Sequence, residues 1–307
     1  MHDLKLRLRR TGAIVPVLAA LGLISSAPAL AEAGPRQMEV LNRGVVAVPA
    51  ANGVLVSWRL LGNDADKTSF NVYRDGKKIT SKPINATNFA DTKGTAISVY
   101  KVAAVTAGKE SAVSADASVW AAGYLSIPLN KPADGTTPDG QTYSYTANDA
   151  AVGDLDGDGR YEIILKWDPT NAKDNSQGGY TGNVLIDAYT LDGKQFWRID
   201  LGRNIRAGAH YTQFQVADYD GDGKAEIIMK TADGSKDAQG KVIGDANANW
   251  VEDGGEVAQG DRTGSVVASD GRLMAQYKGR ILKGPEYLSV FEGATGRVLD
   301  TVDFANT

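Results

Sequence analysis

The sequence predicts an all-β protein, and two observations carry this prediction: short strand patterns at regular spacing, and an internal repeat of an acidic loop followed by a strand. The first strand pattern is Val54–Trp58, where apolar side chains recur at every second position. Phe70 with Val72, and Tyr100 with Val102, repeat the pattern, each ahead of a turn that contains glycine. Because alternate side chains of a strand face the same side, this spacing indicates strands with one buried face.

Residues 38–122 are therefore predicted to form a small β-sandwich. A strand that contains tryptophan, then the segment Phe70–Gly76, then the segment Tyr100–Val105 follow one another in an order that resembles a fibronectin type III domain. No polar cluster in this region has the character of a site. We interpret it as an accessory or packing module.

The second part of the chain contains the internal repeat. Val152–Lys166 matches Val216–Lys230 in its Asp, Gly and Glu positions and in the apolar residues that follow them. Another element also recurs, because Val184–Asp200 and Tyr287–Asp303 share the order of strand, glycine turn and strand. Each unit is thus predicted to contain an acidic loop, an inner strand, a connecting loop and an outer hairpin.

A four-stranded unit of this kind is typical of a β-propeller blade. Residues 126–307 would supply about two blades, and propellers typically have at least about four, so we expect a portion of a propeller. A small open sheet that packs on the sandwich is the alternative.

Both copies of the repeat place acidic residues at alternate positions of a tight loop. Calcium takes roughly six to eight oxygen ligands, and such a loop can present four acidic side chains and one backbone carbonyl. The closing glutamate comes earlier than in an EF-hand, so each loop leads into a strand. An acidic surface turn without metal is the alternative. The predicted calcium ligands are Asp154, Asp156, Asp158, the Arg160 carbonyl and Glu162, then Asp218, Asp220, Asp222, the Lys224 carbonyl and Glu226, with Asp149 as a further candidate.

Residues 1–31 have the features of a secretory signal. Basic residues between Lys5 and Arg10 precede the apolar run Ala13–Ile24, and the small residues Ala29 and Ala31 suit signal peptidase. We therefore expect cleavage after Ala31 and secretion of the mature protein. A membrane anchor is the alternative, but the apolar run is shorter than the ~20 residues that a spanning helix needs.

The net charge indicates which classes of partner the protein can bind, and the cysteine content indicates whether disulfides can stabilise its fold. The 307-residue chain has a net charge of −4, and removal of the signal takes away four basic residues and one acid, which leaves −7. A protein this acidic repels polyanions, which argues against nucleic-acid binding. It has no cysteine, so an exported fold must be held without disulfides. We expect a monomer with no membrane partner.

Several longer strings connect the chain to a known family. The segments Tyr145–Gly159, Leu165–Gln177, Asn204–Phe214, Met229–Gly234 and Gly284–Leu288 resemble the rhamnogalacturonan lyases of polysaccharide lyase family eleven. The resemblance implies a fibronectin-like first domain, a calcium-rich eight-bladed propeller of which this chain is the amino-terminal portion, and cleavage of the pectic polysaccharide rhamnogalacturonan I.

The same resemblance implies that Asn148 and Asp168 contact the substrate; a turn residue and a cap before proline are the alternatives. It implies β-elimination, in which a base removes the proton next to the uronate carboxylate while cations stabilise the developing negative charge. The catalytic base is not assigned. Lys166 and Lys230 occupy equivalent positions in the repeat, which favours structural roles for both. For His210 there are two alternatives, a packing residue or a residue of the site.

Two other functions stay open from the residues alone. A non-catalytic, calcium-dependent glycan-binding or adhesion propeller would use nearly the same loops. It does not account for Lys166–Pro169 or for Ala207–Tyr211. A glycoside hydrolase would need two opposed carboxylates that hold no metal, and Asp168 is a candidate for one of them.

Overall fold

The computed structural model describes residues 38–174, 177–208, 211–253 and 278–304, together with the backbone of short strands at 266–267 and 273–274. The signal segment and His210 lie outside these residues. The described residues contain β-strands and no helix, and so no helix that is long and apolar enough to cross a membrane. The all-β prediction is confirmed.

The first part of the chain forms two antiparallel sheets. The strands are β1 (Val46–Ala50), β2 (Gly53–Ser57), β3 (Ser69–Arg74), β4 (Lys77–Lys78), β5 (Asn88–Asp91), β6 (Val99–Thr106), β7 (Lys109–Glu110) and β8 (Ala117–Ser118). One sheet has the order β1-β2-β5 and the other β4-β3-β6-β7, with β8 also paired to β6. Strands β2, β3 and β6 are those that the alternating apolar residues predict. Their inward faces share a core in which Trp58 meets Phe70 edge-to-face, with ring centroids 5.4 Å apart.

The second part is built from two four-stranded antiparallel sheets. Ahead of them lies a short ribbon of β9 (Gly135–Thr136) and β10 (Thr142–Tyr143). The first sheet follows chain order through β11 (Tyr145–Gly153), β12 (Glu162–Pro169), β13 (Leu185–Tyr189) and β14 (Gln195–Asp200). The second sheet consists of β15 (Phe214–Ala217), β16 (Glu226–Ala232), β19 (Glu286–Phe291) and β20 (Val298–Asp303), and the connection from β16 to β19 contains the paired strands β17 (Val266–Val267) and β18 (Leu273–Met274).

The two sheets repeat one another in detail. The outer hairpin predicted from sequence is β13–β14 in one sheet and β19–β20 in the other, and its register shifts at the same place, between Ala188 and Tyr189 and between Val290 and Phe291. Each sheet also has a first strand, β11 or β15, that leads into the acidic loop. These strands complete the four-stranded unit.

A single apolar core lies between the two sheets. The first sheet contributes Ile164, Ile186 and Ile199, and the second contributes Ile227 and Phe291, all fully buried. Because side chains alternate along β12, Lys166 and Asp168 extend from the same face as Ile164. This alternation places two charged residues at the end of the buried face, which positions the site described below.

The acidic loops are joined to each other and to the start of the described chain. The Ala225 N–H donates to the Asp154 carbonyl at 2.8 Å, which links the two loops. The Val40 N–H donates to the Gly223 carbonyl at 3.2 Å, and the Asn42 N–H donates to the Gly159 carbonyl at 2.8 Å. A Cβ added at Gly159 would lie 3.2 Å from the Asn42 nitrogen, so this approach favours glycine.

The second residues of the two loops provide a matched test of this packing. Leu155 is fully buried in the core between the sheets, whereas the equivalent Tyr219 is 45% exposed. We expect Leu155→Ala to lower the free energy of unfolding by about 2–5 kcal/mol, because it leaves a cavity. Tyr219→Ala should cost about 1 kcal/mol or less. Urea denaturation of both variants measures the difference, and equal losses would contradict the described packing.

Candidate metal-binding loops and substrate site

Each acidic loop is folded around its first aspartate. The two carboxylate oxygens of Asp154 accept hydrogen bonds from the N–H groups of Gly157 and Gly159, both at 2.8 Å. Asp218 accepts the equivalent pair in the second loop at 2.6 and 3.0 Å. Gly157 and Gly159 have φ near +80°, a conformation that other residues rarely adopt. The turn that brings their N–H groups to Asp154 therefore depends on glycine.

The closing glutamate bonds to the loop in the same way in both copies. Glu162 Oε2 accepts the Leu155 N–H at 2.9 Å, and Glu226 Oε2 accepts the Tyr219 N–H at the same distance. The aspartates between them make short local bonds to the N–H groups two residues further on. The loops are therefore equivalent bond by bond, as their sequences indicate.

Two groups of carboxylates in these loops can hold a metal ion. In each group one oxygen from every member lies within 4.8 Å of the others: Asp154, Asp156 and Glu162, and then Asp218, Asp220 and Glu226. Oxygens that share one calcium ion at about 2.3–2.6 Å lie at most about 5 Å apart. The spacing and the all-oxygen donor set thus fit a hard divalent cation. The other predicted ligands, Asp158, Asp222 and the carbonyls of Arg160 and Lys224, belong to the same loops and stay predictions.

Burial and mutual repulsion disfavour the charged form of these acids. Burial, followed by the neighbouring aspartates, raises the pKa of Glu162 to about 7, although the Leu155 N–H opposes the shift. Burial is also the main cause that raises the pKa of Asp154 and that of Glu226. A bound cation would offset both effects, since it attracts the ionised carboxylates and replaces the water that they lose.

A second charged cluster lies on β11 and β12. The register between these strands shifts between Ala147 and Ala150, so Asn148 and Asp149 form a bulge opposite Lys166. The Asp149 carboxylate accepts a hydrogen bond from Lys166 Nζ at 2.9 Å. Asp149 therefore belongs to this cluster through its contact with Lys166, and it is not a member of the two carboxylate groups of the loops. Its assignment as a calcium ligand stays a prediction.

Asp168 completes this cluster with an available oxygen. Its Oδ1 lies 4.0 Å from Lys166 Nζ and is buried, with no hydrogen-bond donor among the described residues. Burial raises the pKa of Asp168, the charge of Lys166 lowers it, and the charge of Asp149 raises it further. A buried acceptor with no partner is costly unless a ligand or water bonds to it. Asp168 can therefore accept a hydrogen bond from a bound molecule.

The strand that carries these residues is held by a buried ion pair. Asp187 on β13 is fully buried and forms a two-point pair with Arg198, with both N–O distances at 2.7 Å. The same carboxylate accepts the Trp167 Nε1–H at 2.8 Å and the Tyr189 hydroxyl at 2.6 Å. Because Trp167 lies between Lys166 and Asp168, this network fixes β12 at the position of the cluster.

The lysines at equivalent repeat positions have different surroundings. Lys166 is 1% exposed and lies between the two sheets, whereas Lys230 is 28% exposed and pairs with Glu286 at 2.9 Å. Their equivalent positions in the repeat predict the same role for both. Both lysines follow an apolar run, so only the nearby Asp168 distinguishes Lys166 in the sequence. The contact with Asp149 depends on a bulge that no sequence pattern marks.

Comparison with known proteins places the chain in a family. The model of "Rhamnogalacturonan lyase family 11, C-terminal domain" matches residues 124–272 and 258–307. The model of "Rhamnogalacturonan I lyases beta-sheet domain" matches residues 36–120. A chain with this all-β fold and these matches is of the rhamnogalacturonan lyase type. It belongs to rhamnogalacturonan lyase family 11, which confirms the resemblance noted in its sequence.

Individual relatives agree with this assignment. The rhamnogalacturonan endolyase YesW of Bacillus subtilis (strain 168) is 55% identical over 294 residues, which is 96% of this chain and 43% of the relative. The exolyase YesX of the same organism is 57% identical, over 88% of this chain and 40% of the relative. The chain thus spans less than half the length of these relatives.

Solved structures show the same similarity. The crystal structure of the exotype lyase YesX has a TM-score of 0.76 and 56% identity, over 89% of this chain and 41% of the other. A Bacillus licheniformis rhamnogalacturonan lyase has a TM-score of 0.75 and 58% identity, over 89% and 43%. The described fold is therefore that of the matching portion of these lyases.

The raised pKa of Glu162 predicts a pH dependence when a chelator keeps cations away. Between about pH 4.5 and 7 the folded protein holds a proton that the unfolded chain has released, so the free energy of unfolding should fall as pH rises through this window. Urea denaturation at several pH values measures it. Glu162→Gln should reduce the slope.

Glu110→Gln is the matched control for this measurement. The Tyr73 hydroxyl lowers the pKa of Glu110. Glu110 therefore affects the pH dependence of the free energy of unfolding only at pH values below this window. A slope that Glu110→Gln reduces as much as Glu162→Gln does would contradict the assignment to the buried glutamate.

Proposed function

We propose that this protein is a secreted lyase that cleaves the rhamnose–galacturonate backbone of rhamnogalacturonan I by β-elimination and carries calcium in its two acidic loops. The observation that carries the proposal is the 55% identity to a rhamnogalacturonan endolyase over 96% of the chain. The signal-like residues 1–31 support secretion. The two equivalent carboxylate groups support calcium, because calcium prefers oxygen ligands.

The proposal includes an architecture. Residues 38–122 would form a fibronectin type III-like domain, and the sheets within residues 126–307 would be two adjacent propeller blades. Two features support this reading: the strands of the first sheet pair in chain order, and the two sheets repeat each other through to the shifted outer hairpin. In a propeller, the innermost strands line a central cleft, which would place the bulge of β11 beside a bound polysaccharide.

The residues of the bulge and of β12 would bind the sugar chain. Asp168 would accept a hydrogen bond from a sugar hydroxyl through its free Oδ1. Asn148 is exposed on the bulge and can offer both a donor and an acceptor. Lys166 would hold Asp149 and keep positive charge close to Asp168. A bound calcium ion supplies positive charge that stabilises an ionised carboxylate.

Calcium binding is tested by thermal unfolding. Because the ionised carboxylates repel one another without a cation, excess chelator should lower the melting temperature by several degrees, and added calcium should restore it. Asp156→Ala and Asp220→Ala should each reproduce part of the loss. The control is Asp66→Ala, which removes an exposed acid outside the loops. A melting curve that chelator leaves unchanged would sink the calcium assignment.

The reaction is tested by following the ultraviolet absorbance of the new double bond in unsaturated uronate released from rhamnogalacturonan I. We expect Asp168→Ala to lower kcat/KM by roughly ten- to a hundredfold, the loss that follows removal of one charged hydrogen-bond partner. Its melting temperature should stay close to that of the unchanged protein. New reducing ends without the absorbance would indicate hydrolysis, and binding without cleavage would favour a non-catalytic glycan-binding propeller.

A further inference from the structure

A cavity of about 270 Å³ opens at the end of the first sheet where Asp168 lies. Tyr143 lines it and is two residues ahead of Tyr145, which pairs with Pro169 at the end of β12. The cavity is close to the lower end of the range of small-molecule sites, roughly 300–1,000 Å³. Tyr143 packs against the cluster that contains Tyr145 and Trp167, so it lies on the face of β12 opposite to Asp168.

One buried arginine holds the wall of this cavity in place. Arg206 donates to the carbonyls of Lys173 and Gly179, each at 3.1 Å, to that of Gln177 at 2.6 Å and to that of Gly279. These carbonyls belong to two separate segments, and the described residues at 173–174, 177–179 and 278–282 belong to no strand. Gly279 lines the cavity, as do Tyr180 and Thr181, which follow Gly179, so a single side chain positions two of the segments that contribute to its wall.

The same two segments touch through glycines. The Gly179 N–H donates to the Lys278 carbonyl at 2.6 Å, and a Cβ added at Gly279 would lie 2.2 Å from the Gly179 backbone. Both glycines have positive φ, at 109° and 76°. Only glycine allows this approach without displacement of the backbone, so the wall has a defined shape.

The cavity also contains an arginine that is available to a ligand. Arg203 lines it, is exposed, and forms no ion pair or hydrogen bond among the described residues. Arg206 and Arg280 lie nearby; burial and then the charge of Arg280 lower the pKa of Arg206, while Tyr211 and Asp174 oppose the shift. Asp253 lines the cavity as well but is engaged in an interaction of its own. The region is therefore locally basic in an acidic protein, which favours an anionic ligand.

We propose that this cavity is a binding subsite for a carboxylated sugar, with the carboxylate on Arg203 and the sugar ring against Tyr143 and Tyr180. The proposal rests on the proposed function, because it takes the ligand to be a galacturonate unit of the same polysaccharide. A guanidinium suits a carboxylate since its N–H groups form two parallel hydrogen bonds. Tyrosine rings offer flat apolar area together with a polar hydroxyl, which matches the two kinds of surface on a sugar.

Calorimetric titration tests the subsite with two ligands: an oligosaccharide of the rhamnogalacturonan I backbone, and the same oligosaccharide with its carboxyl groups reduced to alcohols. Arg203→Gln should weaken binding of the carboxylated ligand about tenfold and leave binding of the reduced ligand close to that of the unchanged protein. Arg203→Lys should recover part of the loss. Arg297→Gln, which removes an exposed arginine outside the cavity, is the matched control.

Three outcomes overturn the subsite: no binding of the carboxylated ligand by the unchanged protein, equal binding by Arg203→Gln, or equal loss of both ligands in that variant. Thermal melting establishes that each variant is folded. Failure of the proposed function is distinguishable, because it appears as binding that depends on Arg203 without release of unsaturated uronate. Release with a KM that Arg203→Gln leaves unchanged would instead count against the subsite alone.

Discussion

The first carboxylate of each acidic loop accepts two backbone N–H groups, and this turn determines where the surrounding chain can go. Asp154 fixes the loop that buries Leu155 between the sheets, and its own carbonyl receives the N–H of Ala225 from the second loop. The segment at Val40 and Asn42 then bonds to a glycine carbonyl of each loop. The loops therefore join both sheets to the start of the described chain. Their buried acids oppose this arrangement unless their charge is neutralised, which connects folding to cation binding.

The sequence revealed those elements whose signals are local. Apolar alternation predicted β2, β3 and β6, and the repeated acidic strings predicted β12 and β16 with the outer hairpins. The first strand of each unit gave no such signal. Along β11 most side chains between Tyr145 and Gly153 are exposed, so there is no apolar period to detect. Its place in the sheet comes from pairing with β12 across the loop, which is a property of the folded chain.

The candidate site shows the same division between local and folded properties. Asp154, Glu162 and their second-loop counterparts were identifiable because the candidate ligand positions follow directly from loop spacing. Lys166 was not, because burial depends on the neighbouring sheet: its counterpart Lys230 occupies the same place in the repeat and is partly exposed. The bulge that turns Asp149 toward Lys166 is also absent from any sequence period. Such residues are recognisable only when the partner strands are known.

The backbone bonds of Arg206 have a consequence for local motion. Residues 173–174 and 177–179, which the structure describes, form no strand, and the carbonyls of Lys173, Gln177 and Gly179 accept hydrogen bonds from this one guanidinium. When these residues open, the hydrogen bonds from Arg206 to their carbonyls and to that of Gly279 must all break. The bonded residues therefore behave as one cooperative unit and do not fray separately. Amide exchange in the two segments would then proceed at matched rates, slower than in a loop of equal length without such an anchor. The Arg206 side chain thus provides these two segments with hydrogen bonds that neighbouring strands provide in a sheet.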